Sequence, residues 1–103
     1  MEIKSPWTMV CTDIIDEFVS FIKDNLPSKH ELQSRDLFPG IKLSGQPIFI
    51  VDDDTTGNRL LIDFSNMTLW GKTNIKIPTI IIFENDSEIQ EMTEHDHQKE
   101  IGQ

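Results

Sequence analysis

The chain is short of cysteine, of basic residues and of long apolar runs, and it has no tyrosine. Its single cysteine, Cys11, cannot form an internal disulfide, so nothing in the sequence requires an oxidising compartment. No apolar run approaches the roughly 18 residues that would indicate a membrane-spanning helix. The first residues also lack the apolar core of a signal peptide, so we expect a cytoplasmic protein that does not associate with a membrane.

Basic residues are outnumbered by acids, with 9 lysines and arginines against 18 aspartates and glutamates, which gives a net charge of −9. This balance argues against binding to nucleic acid or to an anionic membrane, since both require a basic surface. It favours a basic protein partner or the mimicry of a polyanion, although solubility alone would also explain it.

The 103 residues are enough for a single domain, over residues 1–103. The spacing of apolar residues predicts an N-terminal helix over residues 5–27, with Ser5 as its cap and Pro6 at its first position. Ser28 and Glu31 have capping-box spacing and predict a short second helix over residues 29–37. The apolar stripe of the first helix comprises Trp7, Cys11, Ile14, Ile15, Phe18, Phe21 and Ile22.

Beyond residue 40 the pattern changes to the alternation typical of β-strands. Short turn-rich links between the apolar segments indicate antiparallel hairpins, and Pro78 predicts the start of a strand or an edge strand. The expected architecture is α+β, with the N-terminal helix and the short second helix packed on an antiparallel sheet of about four strands. The candidate segments are IKLSG, PIFIV, RLLIDF, MTLW and IKIPTIIIF.

The C-terminal segment, from about residue 85 to residue 103, is strongly acidic. Residues 84–103 carry seven acids against one base, Lys99, and so contribute −6 of the net charge. With Ile89 and Met92 as its main apolar residues, this segment is either a loosely docked helix or partly disordered.

Three consecutive carboxylates, Asp52, Asp53 and Asp54, stand between two apolar runs. Side chains of consecutive residues in an extended chain point in alternate directions, so these three do not converge on one ion. A calcium loop also needs Glu at its twelfth position, where counting from Asp52 gives Asp63. We therefore expect no metal site at this position.

A turn accounts for part of the cluster. The segment from Asp54 to Gly57 fits a type I turn followed by a glycine with positive φ, as in a hairpin with a bulge. The turn leaves Asp52 and Asp53 without a structural reason, because strands disfavour aspartate. These two residues are therefore the first candidates for a binding surface.

No arrangement of residues indicates catalysis or a cofactor, so we expect no enzyme. Cys11 lies on the apolar stripe of the first helix. His95 and His97 lie two residues apart between acids, and they either hold a metal loosely or belong to a solvated acidic segment. Trp70 is either an exposed binding anchor or half-covered by the second helix or the C-terminal segment.

In size, acidity, single-domain organisation and lack of a catalytic set, the chain resembles the immunity proteins of bacterial toxin systems, such as contact-dependent growth inhibition and colicin-type nucleases. The resemblance implies that the protein neutralises a basic toxin, a nuclease domain, by placing carboxylates in or beside its substrate groove. The alternatives are a DNA-mimic inhibitor of a DNA-binding enzyme and a small metal-binding regulator. The expected partner surface comprises Asp52, Asp53, Asp54, Asp63 and Trp70, supported by Glu84, Asp86 and Glu88.

Overall fold

A computed structural model of the chain describes residues 3–102. Two α-helices pack on a five-stranded antiparallel sheet with the strand order β1-β2-β3-β4-β5. The α+β class is therefore confirmed, and the sheet has five strands where about four were expected. The strands are β1 (Trp7–Met9), β2 (Leu37–Leu43), β3 (Ile48–Asp53), β4 (Asn58–Leu69) and β5 (Lys76–Phe83), and the helices are α1 (Ile15–Asp24) and α2 (Asp86–Gly102).

The N-terminal helix is shorter than the prediction of residues 5–27. Residues Trp7–Met9 form the edge strand β1, which pairs antiparallel with β2 in the register Trp7 to Leu43. Trp7 is buried, and its indole Nε1 donates a hydrogen bond of 2.7 Å to Asp96 of α2. Pairing with distant parts of the chain therefore overrides the local helical spacing. Cys11, expected in the core, is exposed.

The predicted second helix is a single 3₁₀ turn, Glu31–Ser34. Its cap is His30, whose imidazole accepts a hydrogen bond from the Leu32 amide, and not Ser28. The chain then enters β2 at Leu37, so the Pro39-Gly40 pair lies inside a strand. The register of β2 against β3 shifts between Phe38 and Ile41, and Pro39 lies within this irregularity. A strand tolerates proline at such a position because the regular hydrogen bonding is already interrupted.

Two segments expected as separate strands, RLLIDF and MTLW, form the single strand β4. The register against β5 shifts between Asp63 and Met67, so a bulge joins them. The hairpin between β3 and β4 forms as predicted, with Gly57 at a φ of 81°. Pro78 lies in β5 at the outer edge of the sheet, which confirms the prediction of an edge strand.

The sheet is covered on both faces, which explains why β3 is apolar on both sides. Phe49 and Val51 face α1, whereas Ile50, between them in the chain, faces α2. The core on the α1 face comprises Ile22, Leu26, Leu32, Leu37, Phe49, Val51, Leu60 and Ile62. The core on the α2 face is smaller and comprises Trp7, Ile41, Ile50 and Ile89, with Met92 and Phe83 among the residues at its margin.

The acidic C-terminal segment forms the helix α2, which resolves the choice left open by the sequence. Ile89 is fully buried against the sheet, and Met92 packs beside it. Further along the helix, Glu94 forms an ion pair of 3.2 Å with Lys4, and His97 Nδ1 lies 2.8 Å from the Ser5 carbonyl oxygen. The helix is thus held at several points along its length.

Candidate functional site

The three consecutive aspartates point in different directions, as expected for the end of a strand. Asp52 lies on the α2 face of the sheet, where its carboxylate forms an ion pair with Arg59 and accepts a 2.7 Å hydrogen bond from Arg59 Nε. Asp53 lies on the α1 face and is 1% exposed. Asp54 is exposed at the start of the turn.

Asp53 belongs to the fold and not to the surface, which corrects the expectation that it forms part of a binding site. Its Oδ2 atom lies 2.6 Å from Nη1 of Arg35, and its Oδ1 atom accepts hydrogen bonds from the amides of Thr55 and Thr56. Its backbone carbonyl accepts the Gly57 amide at 2.8 Å, so the turn begins at Asp53 and not at Asp54. Burial acts to raise the pKa of Asp53, but the hydrogen bonds from Arg35, Thr56 and Thr55 outweigh it and lower the pKa below its usual value.

Arg59 joins two carboxylates that are far apart in the sequence. Its Nε atom contacts Asp52, and its Nη1 atom contacts Asp86 at the start of α2, each at 2.7 Å. Burial acts to lower the pKa of Arg59, but the hydrogen bonds and charges of the two aspartates raise it above its usual value. The arginine therefore holds the hairpin against the first turn of α2 while carrying a permanent charge.

The acids that precede and begin α2 also have a role in helix capping. The Glu88 amide donates to the Asn85 side chain at 3.1 Å, and the Glu88 carboxylate accepts the Glu84 amide. Carboxylates in the first turn, here Asp86 and Glu88, are stabilised by the helix dipole. Their positions are thus partly explained by the fold, although Glu84, Asp86 and Glu88 remain exposed.

These elements bring most of the predicted partner residues to one end of the sheet. The cleft between the hairpin and α2 has a volume of about 360 Å³ and is lined by Asp52, Asp54, Arg59 and Asp86 among others. A second cleft, of about 160 Å³, continues past Glu84. We call this surface the acidic end, and it comprises Asp52, Asp54, Glu84, Asp86 and Glu88.

Two predicted partner residues lie outside the acidic end. Asp63 is further along β4, at its bulge, where its Oδ1 atom accepts hydrogen bonds from the Ser65 amide and hydroxyl. Trp70 follows the far end of β4 and is partly buried against His30, with ring centroids 5.6 Å apart. The sequence left open whether Trp70 is an exposed anchor or half-covered, and in the structure it is half-covered.

Arg59 was not among the predicted residues, although the sequence contained a signal for it. A turn between Asp53 and Asn58 sets the register of the hairpin and places Arg59 directly opposite Asp52. A basic residue opposite an acidic one on the same face is a stabilising cross-strand pair.

The histidines of α2 separate because residues two apart do not share a helix face. His97 contacts Ser5, whereas His95 is exposed beside β5. Within residues 3–102, no group of three or more His, Cys, Asp or Glu side chains is placed to hold a metal ion. No helix in the same range has the length and apolarity needed to cross a membrane.

Comparisons with protein-family models, with curated proteins and with solved structures found no match. The resemblance to immunity proteins therefore stays a prediction.

Proposed function

We propose that the protein binds a basic protein toxin, a nuclease domain, and neutralises it by direct contact through the acidic end, as an immunity protein does. The observation that carries the proposal is the gathering of five carboxylates at one end of the sheet, where Arg59 pairs with two of them, Asp52 and Asp86. The five are Asp52, Asp54, Glu84, Asp86 and Glu88. Five carboxylates and one guanidinium leave this surface a charge of −4.

The acidic end has the properties that rapid binding of a basic partner requires. Asp52 and Asp54 lie on a hairpin, and Asp86 and Glu88 lie in the first turn of α2. Glu84 lies in the two-residue link between β5 and α2. The backbone that carries these carboxylates is therefore ordered before binding, which lowers the entropic cost of association. A concentrated negative surface attracts a basic partner over several ångströms and raises the association rate above that of a neutral pair. In a nuclease groove, these carboxylates would pair with the arginines and lysines that otherwise hold phosphates.

The compactness of the acidic end favours a toxin inhibitor over a DNA mimic. A mimic presents carboxylates spread along a surface at spacings like those of the phosphates of a duplex, which carries one charge for about every 3.4 Å of helix axis on each strand. Here Asp52 and Asp86 instead converge on one guanidinium. This convergence favours a toxin inhibitor over a DNA mimic.

Co-expression in bacteria tests the proposal. The C-terminal domain encoded by the neighbouring upstream gene is induced alone and together with this protein, and growth is measured. We expect growth arrest by the domain alone and full growth with the wild-type protein. The double variant Asp54→Lys/Glu84→Lys, which alters two exposed carboxylates of the acidic end, should fail to restore growth.

The matched control is the double variant Asp13→Lys/Asp24→Lys, which makes the same change in net charge at two exposed positions, one just before α1 and one at its last residue. It should protect as well as the wild-type protein. A neighbouring domain that is harmless, or full protection by the Asp54→Lys/Glu84→Lys variant, would contradict the proposal.

A further inference from the structure

Strand β5 forms the outer edge of the sheet, and only half of its length carries residues that prevent another strand from pairing with it. β5 is the last strand in the order, and within residues 3–102 it pairs with β4 alone. Proteins blunt such edges with proline, charge or a bulge, because unpaired backbone N–H and C=O groups attract other strands. The first half of β5 has Lys76 and Pro78 and lies opposite the bulge in β4, whereas residues 79–83 contain neither proline nor charge.

The unprotected half of β5 also exposes two large aliphatic side chains. Ile81 is 47% exposed and Ile82 is 59% exposed. As neighbours in a strand they lie on opposite faces of the sheet, Ile81 on the α2 face and Ile82 on the α1 face. A strand with open backbone groups along its outer side and apolar side chains on both faces is the kind of surface that strand addition uses.

The chemistry beside this edge selects one kind of partner. Between β5 and α2 lies an open groove of about 440 Å³, with Ile81 and Met92 among its apolar lining and Glu88 and Glu91 among its polar lining. Lysine and arginine have an aliphatic stem and a charged head, so they match an apolar floor with a carboxylate rim. Glu88 also belongs to the acidic end, so the groove continues that surface.

We propose that residues 79–83 of β5 are a docking edge for an extended basic segment of the partner, which joins the sheet as an additional strand. The proposal rests on the proposed function, because it names how the basic partner engages this chain. Alternate residues of the docked segment are lysine or arginine and lie over the groove toward Glu88 and Glu91. The residues between them are apolar and pack beside Ile82.

A second copy of this chain is the competing occupant of the edge, and charge disfavours it. Antiparallel pairing of two β5 strands would join the sheets with both α2 helices on the same face. Glu88 and Glu91 line the groove on that face, so the carboxylates of both copies would be brought to the same face of the joined sheet. Such like charges oppose self-association and favour a basic strand.

The test uses the full chain labelled for amide detection and a synthetic cyclised β-hairpin peptide whose free strand alternates valine and lysine. We expect alternate amides within residues 79–83 to gain about tenfold or more protection from hydrogen exchange when the peptide binds. A hairpin that alternates valine and glutamate should give no protection.

Two variants, at side chains of similar exposure, test whether the peptide binds at β5. Ile82→Lys places a charge on the docking edge and should weaken binding of the valine–lysine hairpin by about tenfold or more. Leu69→Lys changes a side chain of similar exposure, 58%, at the far end of β4 and should leave binding unchanged. Both positions are exposed, so both variants should fold.

Failure of the docking edge is distinguishable from failure of the proposed function. The docking-edge proposal is wrong if the hairpin does not bind. It is also wrong if the hairpin binds without increasing the protection of amides 79–83 from hydrogen exchange. Protection that rises with protein concentration in the absence of peptide would assign the edge to a second copy instead. In either case, loss of toxin protection in the Asp54→Lys/Glu84→Lys variant would leave the proposed function standing.

Discussion

At the residue scale, the three adjacent aspartates differ because strand alternation and the turn send their side chains to three environments. Asp53 is buried and joins the hairpin to Arg35. Asp52 pairs with Arg59 at the margin of the acidic end, and Asp54 is exposed. Of the three, Asp54 is the residue whose charge is most available to a partner.

Replacement of Asp53 by alanine should destabilise the protein by about 3 kcal/mol. It removes two turn hydrogen bonds and leaves the partly buried Arg35 with only its longer contact, of 3.8 Å, to the exposed Glu31. Asp53→Asn should cost less, since its amide oxygen still accepts from Thr55 and Thr56. Asp54→Ala should change stability by less than about 0.5 kcal/mol. Urea denaturation measures all three, and equal effects of Asp53→Ala and Asp54→Ala would contradict the assignment of Asp53 to the fold.

His30 should make stability depend on pH near neutrality. Burial lowers its pKa below the usual 6.5, an effect that the charge of Glu31 only partly offsets. The unfolded chain therefore binds a proton more readily than the folded one. The contribution of His30 is fully present above pH 6.5 and is lost as the pH falls below that value toward the lowered pKa.

Urea denaturation at about pH 7.5 and pH 5.5 tests this expectation. His30→Asn keeps an acceptor for the Leu32 amide without a titrating group, so it should lose less stability on acidification than the wild-type protein. Tryptophan fluorescence provides a second readout, because one of the two tryptophans, Trp70, packs its ring on the imidazole. The same loss of stability in both proteins would contradict the role of His30.

At the element scale, α2 depends on very few apolar contacts. Ile89 is its fully buried apolar residue, whereas the rest of the helix is mostly charged or polar. A helix of this composition has little stability of its own and needs tertiary packing. Since α2 supplies Asp86 and Glu88 to the acidic end, its docking is a condition for the proposed function.

Ile89→Ala should therefore destabilise the protein by about 2–4 kcal/mol and loosen α2 in particular. Hydrogen exchange should accelerate in the amides of α2 more than in β3 or β4. Gln90→Ala, at an exposed position of the same helix, is the control and should have little effect. Uniform acceleration across the whole chain would contradict the view that Ile89 mainly holds α2.

The sequence predicted the elements whose signals are local. The β3–β4 hairpin followed from the turn around Gly57, and the edge position of β5 followed from Pro78. Strand β1 was missed because its pairing of Trp7 with Leu43 joins distant residues, and the spacing of residues 5–27 also fits a helix. Hydrophobicity alone did not reveal that Ile81 and Ile82 are exposed, since exposure depends on which strands and helices cover β5.

The candidate binding surface was likewise predicted only in part from the sequence. The acids of the acidic end were all among the predicted partner residues, but the sequence did not distinguish them from Asp53, Asp63 and Trp70. Separating them required the fold, because the buried turn, the bulge and the contact with His30 arise only when the strands pair.

At the scale of the whole molecule, the net charge of −9 is unevenly placed. The acidic end and the groove beside β5 share Glu88 and form one continuous surface across the end of the sheet. Such a surface combines long-range attraction with an apolar edge. Charge sets the rate of encounter with a basic partner, and desolvated apolar contacts supply most of the affinity.

The most direct test is the rate of association between this protein and the purified toxin domain, measured by stopped flow from about 50 to 500 mM salt. The wild-type protein should associate fast at low salt and slow steeply as salt increases. The Asp54→Lys/Glu84→Lys variant should associate about tenfold or more slowly at low salt, with a shallower salt dependence. The Asp13→Lys/Asp24→Lys control should stay close to the wild-type rate, whereas an equal loss in both variants, or none in either, would contradict binding through the acidic end.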